Sequence, residues 1–300
     1  VSDAYLALVN RAAGGGRCGK LVDDALARLR AAGVAIDVKE TSGPRDATRL
    51  ACEAYASGRR RFIGVGGDGT SFEIINGVFP RAIDGGAPTL GFLPLGTGNS
   101  FLRDFTDRGV AAATEALIAG RSRSCDVLRL THEEGVIYYM NLLSIGFSAA
   151  AGVMTNRYFK PLGPLGYLLA VLVCLVRLER RSFNLRCDDD TEWDRRRCLF
   201  LSFNNSKFTG GKMMIAPDAD PSDGLIEFVR WGPVGRCSLI RHLHKLYDGA
   251  HIHHPAASRR AVRQVEFDLS EPIDVMIDGE VLRLRCERLD VMPSAINVVI

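Results

Sequence analysis

Two glycine-rich stretches carry the residue types that phosphate chemistry needs. The first, Gly64-Val65-Gly66-Gly67-Asp68-Gly69-Thr70, lies between a strand-like run and a helix-like run. Glycines let backbone amides approach a phosphate, the following helix start adds unpaired N–H groups and a favourable dipole, and Asp68 is suited to orient a metal ion or water. No Gly-Lys-Ser/Thr follows, so this is not a Walker loop. Its glycine spacing, and its place after the third strand, also exclude a Rossmann loop. The second stretch, Leu93-Pro94-Leu95-Gly96-Thr97-Gly98-Asn99-Ser100-Phe101, follows the next strand. In a parallel sheet both turns emerge at the carboxyl edge, so the two loops converge on one crevice.

The elements that must position these loops alternate. Ala4 to Val9 reads as strand, Lys20 to Ala32 as helix, Val34 to Val38 as strand, Asp46 to Ala56 as helix, Arg61 to Val65 as strand, Ser71 to Val78 as helix and Thr89 to Leu93 as strand. That order predicts a parallel sheet flanked by helices. After a helix at Val110 to Ala119 the pattern changes near Gly120 to Ser124. Strands are then expected at Cys125 to Thr131, Val136 to Leu143, Ser182 to Cys187, Arg197 to Asn204, Leu225 to Trp231, Val265 to Leu269, Ile273 to Ile277 and Val281 to Cys286, interrupted by helices at Leu165 to Leu178 and Val234 to Tyr247. The expected fold class is α/β in two domains. Residues 1–121 form an α/β domain with a parallel sheet, and residues 122–290 a domain rich in antiparallel strands.

Composition agrees with this division. A chain of 300 residues with 47% hydrophobic and 24% charged residues is globular and long enough for two cores. Its 38 basic against 35 acidic residues leave a net charge of only +3, which excludes nucleic-acid binding by bulk charge. The eight cysteines are scattered, without a CxxC pair or a signal-like amino terminus, and this points to reduced thiols in a cytoplasmic protein. The most apolar stretch, Leu165 to Val176, is too short to cross a bilayer, which leaves peripheral membrane contact open.

The two loops, taken with Phe208-Thr209-Gly210-Gly211 and Ile215-Ala216-Pro217-Asp218-Ala219-Asp220-Pro221-Ser222-Asp223-Gly224-Leu225, give the chain a family resemblance. It resembles the diacylglycerol kinase catalytic family, which includes soluble bacterial lipid kinases and the sphingosine and ceramide kinases. The likeness runs from Asn10 to Glu280 with the motifs in the family's order. It implies that residues 1–121 are a nucleotide-binding domain and residues 122–290 a β-sandwich-like domain for lipid and metal, with ATP and the lipid meeting in the cleft between them and the final residues, 291–300, returning to the first domain.

Carried over by position, the resemblance places the nucleotide against Asn10, Thr41, the stretch Gly66, Gly67, Asp68, Gly69, Thr70, Ser71 and Phe72, and Thr97 within the loop Gly96, Thr97, Gly98 and Asn99. Where the family usually has proline after its asparagine, Asn10 is followed here by Arg11-Ala12-Ala13-Gly14-Gly15-Gly16. Taken alone, Thr41 is a loop or capping residue. Asp220 and Asp223 with the carbonyl of Leu225 have the oxygen chemistry that Mg²⁺ prefers. On sequence alone they form a surface turn, and the resemblance makes them a metal site. Asp278-Gly279-Glu280 reads as a hairpin turn, and the resemblance makes Glu280 the base that takes the proton from the lipid hydroxyl and Asp68 a metal-bridging or ATP-orienting acid.

Tyr167 to Val176 is apolar all round, so a helix there is buried or lines a greasy cavity. Arginines at 177, 180, 181 and 186, at 195 to 197, and at 259, 260 and 263 are either solvated faces or a means of contact with an anionic membrane. After Gly146-Phe147 the chain has Ser148-Ala149-Ala150, where sphingosine-type relatives tend to carry an acid, so a neutral glycerol lipid such as diacylglycerol is the favoured acceptor. The histidines at 242, 244, 251, 253 and 254 lack metal-site spacing. The alternatives are a sphingosine- or ceramide-type kinase, an NAD kinase-like enzyme sharing Gly-Gly-Asp-Gly, and a non-catalytic lipid- or nucleotide-binding regulator. Oligomeric state is not legible.

Overall fold

The structure is a computed structural model and describes residues 4–96, 98–154, 158, 173–174, 180–210 and 212–300. Four strands open the chain: β1 (Tyr5–Val9), β2 (Ile36–Glu40), β3 (Arg61–Gly66) and β4 (Thr89–Pro94). They pair in parallel in the order β2-β1-β3-β4. β1, β3 and β4 are almost wholly buried, as strands covered on both faces must be, whereas β2 is an exposed edge. The covering helices are α1 (Arg17–Ala31), α2 (Asp46–Ala56), α3 (Asp68–Val78), the short α4 (Ala82–Gly85) and α5 (Val110–Ala119). α5 ends at Gly120, whose φ of 66° supplies the left-handed cap.

The rest of the chain is mostly antiparallel. It comprises β5 (Ser122–His132), β6 (Gly135–Tyr139), β7 (Leu142–Gly146), α6 (Phe147–Met154), β8 (Asn184–Cys187), β9 (Phe200–Asn204), β10 (Ile226–Trp231), α7 (Arg236–His242), β11 (Ala257–Val262), β12 (Gln264–Asp268), β13 (Ile273–Ile277), β14 (Glu280–Leu284) and β15 (Cys286–Val299), with two pairs of two-residue strands between them. β15 joins the halves. It pairs antiparallel with β5 and β12, and its end runs parallel to β4 through Asn297 opposite Thr89 and Val298 opposite Leu90. Among the described residues, one nine-stranded sheet therefore runs through both parts of the molecule, and a six-stranded sheet, β11-β10-β9-β7-β13-β14, faces its second half. Leu128, Leu130, Leu185 and Val265 from the first sheet meet Leu143, Ile145, Phe203 and Val275 from the second in one core, the plan of a β-sandwich.

Several expectations need correction. The strand foreseen at Val136 to Leu143 is two strands, broken at Met140 and Asn141, whose N–H groups go to the Asp278 carboxylate. The helix foreseen at Val234 to Tyr247 is the short α7 followed by a tighter 3₁₀ turn at Leu243–Leu246. The strand foreseen at Ser182 to Cys187 divides into Arg181–Ser182 and β8, and Arg197 to Asn204 into Arg197–Cys198 and β9. β11 and α6 had no expectation. Most of the helix expected at Leu165 to Leu178 lies outside the described residues. Among the described residues no helix is long and apolar enough to cross a membrane.

Candidate active site

The three loops that leave the carboxyl ends of β1, β3 and β4 touch one another through backbone. The Gly96 N–H donates to the Gly66 carbonyl at 2.6 Å, and a Cβ on Gly96 would fall 2.6 Å from the Gly67 Cα. Only glycine fits there. From the first loop, the Arg17 guanidinium donates to the Gly96 carbonyl at 2.9 Å. The Asn10 N–H donates to the Val65 carbonyl at 3.0 Å, and its side-chain Oδ1 accepts from the Ala12 N–H at 3.2 Å, which turns the chain into this loop. Thr41 sits at the same edge, where its N–H and hydroxyl both donate to the Val9 carbonyl, at 2.9 and 3.3 Å.

Among the described residues no side chain caps the start of α3, where the Thr70 and Ser71 N–H groups donate to the Gly67 carbonyl, and the positive end of the helix dipole lies at this crevice. Asp68, the first residue of α3, accepts from the Ser100 N–H on both carboxylate oxygens, at 2.9 and 3.0 Å. Burial raises its proton affinity above the ordinary carboxylate range despite these bonds. Gly98 lies close by, since a Cβ there would fall 2.6 Å from Asp68 Oδ2. Thr70 and Ser71 are buried in the first turn of α3. Phe72 packs into the core between the sheets, and Asn99 uses its amide to donate to the Pro94 and Gly96 carbonyls, at 3.3 and 3.2 Å. Thr97 lies outside the described residues.

Glu280 reaches this crevice from the other half of the chain. It opens β14 after the two-residue turn Asp278-Gly279, whose φ values of 47° and 90° suit an Asp-Gly hairpin of type I′. Its exposed carboxylate lies against α3, with Oε1 only 3.0 Å from where a Cβ on Gly69 would stand. Asp278 holds the turn in place. Its Oδ1 accepts from the Asn141 and Leu142 N–H groups at 3.1 and 2.9 Å, its Oδ2 accepts from Met140 N–H at 3.1 Å, and its own N–H donates to the Leu142 carbonyl at 3.0 Å. Burial, with the Asp68 charge adding, pushes Asp278 up to about 7. The sequence marked Asp278 only as a turn residue, because its partners lie more than 130 positions away.

The acidic segment forms a second cluster. Asp220 Oδ1 accepts from the Ser222 N–H and hydroxyl at 3.0 and 2.7 Å and lies 3.1 Å from the Arg123 guanidinium. Asp223 Oδ1 accepts from the Leu225 N–H at 2.9 Å, and burial with the Asp220 and Asp126 charges raises its proton affinity. Two acids outside any recognised motif support this segment. Buried Asp126 accepts from Gly224 N–H at 2.7 Å and from Ser294 N–H at 2.8 Å. Asp104 accepts from Lys207 N–H on both oxygens at 3.1 Å, and burial, with Asp220 adding, pushes it up to about 7. Asp104 closes the 3₁₀ turn Phe101–Asp104 after the second glycine loop and so ties that loop to Lys207, whose carbonyl accepts from the Ile215 and Ala216 N–H groups at 2.9 and 3.3 Å. Among the described residues, no three His, Cys, Asp or Glu side chains converge as a ready-made metal cage.

Many of the arginines noted in the sequence are already neutralised. Arg186 pairs with Glu266 at 2.5 Å, Arg196 with Asp194 at 2.8 Å and Arg260 with Asp190 at 2.5 Å, while Arg259 meets Asp218 and Glu227. Each cluster is thus neutralised in part.

Residues 4–130 match the diacylglycerol kinase catalytic domain, and residues 141–300 match the YegS C-terminal NAD kinase beta sandwich-like domain. A diacylglycerol kinase of Mycobacterium tuberculosis is 29% identical over 297 residues, covering 97% of this chain and 93% of that protein. A "probable lipid kinase YegS-like" protein of Pseudomonas aeruginosa is 30% identical over 275 residues, covering 91% and 87%. The solved structure of a diacylglycerol kinase from Bacillus anthracis superposes with a TM-score of 0.72 at 20% identity, covering 99% of this chain and 96% of that one.

Proposed function

Because this chain belongs to the diacylglycerol kinase catalytic family and is an ATP-dependent lipid kinase, we propose that it transfers the γ-phosphate of ATP to the free hydroxyl of diacylglycerol or a related glycerolipid. The observation that carries the assignment of roles is the contact between Glu280 and Gly69, which sets a carboxylate beside the uncapped start of α3. ATP phosphates lie against the stretch Gly66 to Ser71 at the start of α3 and the Gly96 to Asn99 loop, with Asn10 and Thr41 at the rim and Asp68 orienting the phosphate chain. Glu280 accepts the proton of the lipid hydroxyl as its oxygen bonds to the γ-phosphorus. The bond from that phosphorus to the β–γ bridging oxygen breaks, and ADP leaves. Positioning and charge neutralisation supply most of the acceleration in such a transfer, and proton removal supplies less.

Residues 1–121 then serve the nucleotide and 122–290 the lipid and the metal, with 291–300 completing the first unit. Asp220, Asp223 and the Leu225 carbonyl are a hard-oxygen donor set that suits Mg²⁺. Three protein ligands are enough, because Mg²⁺ keeps several of its waters. Bound there, it would favour the charged form of Asp223 against the burial that chiefly raises it and the Asp220 and Asp126 charges that add to that rise. The absence of an acid after Gly146-Phe147 favours a neutral headgroup over a cationic sphingoid base. The free and largely buried thiols suit a reducing, cytoplasmic setting, with peripheral contact to an anionic membrane.

The test is transfer of label from γ-labelled ATP into a mixed lipid extract, with the product identified by mass. The expected product is the phosphomonoester of diacylglycerol. Labelling of NAD with no lipid labelled would overturn the proposal, and labelling of sphingoid bases alone would overturn the acceptor.

A further inference from the structure

We infer that α7 and the 3₁₀ turn after it form the face by which this enzyme docks on an anionic lipid bilayer, an inference that rests on the lipid-kinase reading and gives its membrane contact a place. The segment is two-sided. Leu239 and Leu246 are buried, with 1% and 7% of their surface exposed, in a cluster with Trp231, Leu199 and Phe200. On the outer side Ile240 and Tyr247 are large apolar residues left 59% and 58% exposed. They stand beside two cations: Arg241 follows Ile240, and Lys245 is two positions before Tyr247. From Arg236 to Tyr247 the chain has no Asp or Glu, and neither Arg241 nor Lys245 is in an ion pair among the described residues. In the other basic clusters of this half of the molecule, by contrast, Arg186, Arg196, Arg259 and Arg260 are paired with carboxylates.

Exposed apolar side chains beside Arg241 and Lys245, two cations without an ion pair among the described residues, match the two parts of an anionic interface, acyl chains and negative headgroups. The face also connects with the reacting centre. Phe147, Ala151 and Met154 of α6 share the cluster that holds Leu239 and Leu246. The other side of α6 packs on the hairpin of Glu280, where a Cβ on Gly152 would lie 3.1 Å from Val281 Cγ2 and 3.4 Å from Met276 Sδ. Val173 adds exposed apolar surface next to Cys174 of the same cluster. Apolar packing is thus continuous from the residue after Glu280 to the docking face, which suits an acceptor whose acyl chains stay near the bilayer.

The experiment is co-sedimentation of the full chain with vesicles of phosphatidylcholine and phosphatidylglycerol, and with vesicles of phosphatidylcholine alone. Wild type is expected to bind the mixed vesicles, and salt to release it. Arg241→Ala with Lys245→Ala should weaken that binding roughly 30-fold at low salt, and Ile240→Ser with Tyr247→Ser should weaken it on both kinds of vesicle. The melting temperature, and transfer to a short-chain diacylglycerol dispersed without vesicles, should not change. Unaltered sedimentation of both variants would overturn the proposal. So would a wild-type dimer that these substitutions dissolve, because the face would then belong to a second copy. Sedimentation is read without turnover, so failure of the docking face and failure of the kinase reading are told apart by which of the two assays is lost.

Discussion

Replacing Gly69 with alanine separates what this residue does for α3 from what it does for Glu280. Gly69 is the second residue of α3 and its φ is not positive, so alanine suits its backbone. Exchange of glycine for alanine inside a helix is worth about 0.5–1 kcal/mol. In a chain of this size that is a rise in melting temperature of about 1–3 °C. The added methyl, however, would stand 3.0 Å from Glu280 Oε1, where ordinary contact begins at 3.4 Å. The Glu280 carboxylate, the free end of a side chain, must give way by a few tenths of an ångström. Misplacement by 1 Å can cost roughly 100-fold in rate, so a shift of this size should lower kcat roughly tenfold. The assay is steady-state transfer with ATP and lipid varied in turn, alongside thermal unfolding. A fall in kcat with KM for ATP unchanged and the melting temperature level or raised is the expected pattern. In the background of Glu280→Gln the same change should cost little more, because the two act through one group. A raised KM for ATP with kcat intact would show that the methyl obstructs the phosphates instead. Unchanged kcat and KM would refute the placement of Glu280 against this loop as a requirement of the chemistry.

Asp126→Ala leaves the Gly224 and Ser294 N–H groups without their acceptor, and should cost about 2–4 kcal/mol in denaturant unfolding. Addition of Mg²⁺ should raise the melting temperature of wild type but not that of Asp220→Ala with Asp223→Ala; equal shifts would remove the cation from that segment. His251 is fully buried against Trp231. The backbones of Lys245 and Ile215 are near, but neither ring nitrogen makes a well-formed hydrogen bond, and burial holds its pKa below 6.5. The unfolded chain therefore takes up this proton first, so the stability due to neutral His251 is complete above about pH 6.5 and is lost as pH falls through and below that value. His251→Leu should flatten the decline in stability measured between about pH 7 and 5, and an unchanged slope would assign it to other groups.

What was legible in the sequence follows from how local its causes are. β1, β3 and β4 are apolar runs between glycine-rich turns, and α2 and α5 begin and end where Asp46 and Gly120 suggest. The convergence of the glycine loops followed from parallel topology alone, and the Gly96 to Gly66 bond is its atomic form. The break at Met140 and Asn141 was not legible, because a carboxylate at position 278 takes their N–H groups. The length of β15 was hidden by Pro293 and Ser294, an irregularity that Asp126 stabilises from the paired strand β5, more than 160 positions earlier in the chain. Asp104 and Asp126 escaped notice for the same reason: each serves backbone amides far along the chain and leaves no spacing to read. Glu280 was singled out by family resemblance, whereas its position against Gly69 depends on how the two sheets pack.

The central claim is that Glu280 takes the proton of the acceptor hydroxyl at the uncapped start of α3. Glu280→Gln keeps the shape and removes the base. ATP binding by titration and turnover on dispersed diacylglycerol, measured on the same preparation, test the claim directly. Unchanged ATP affinity with turnover reduced roughly 100-fold to 10,000-fold is the expected result. Turnover equal to wild type would contradict it.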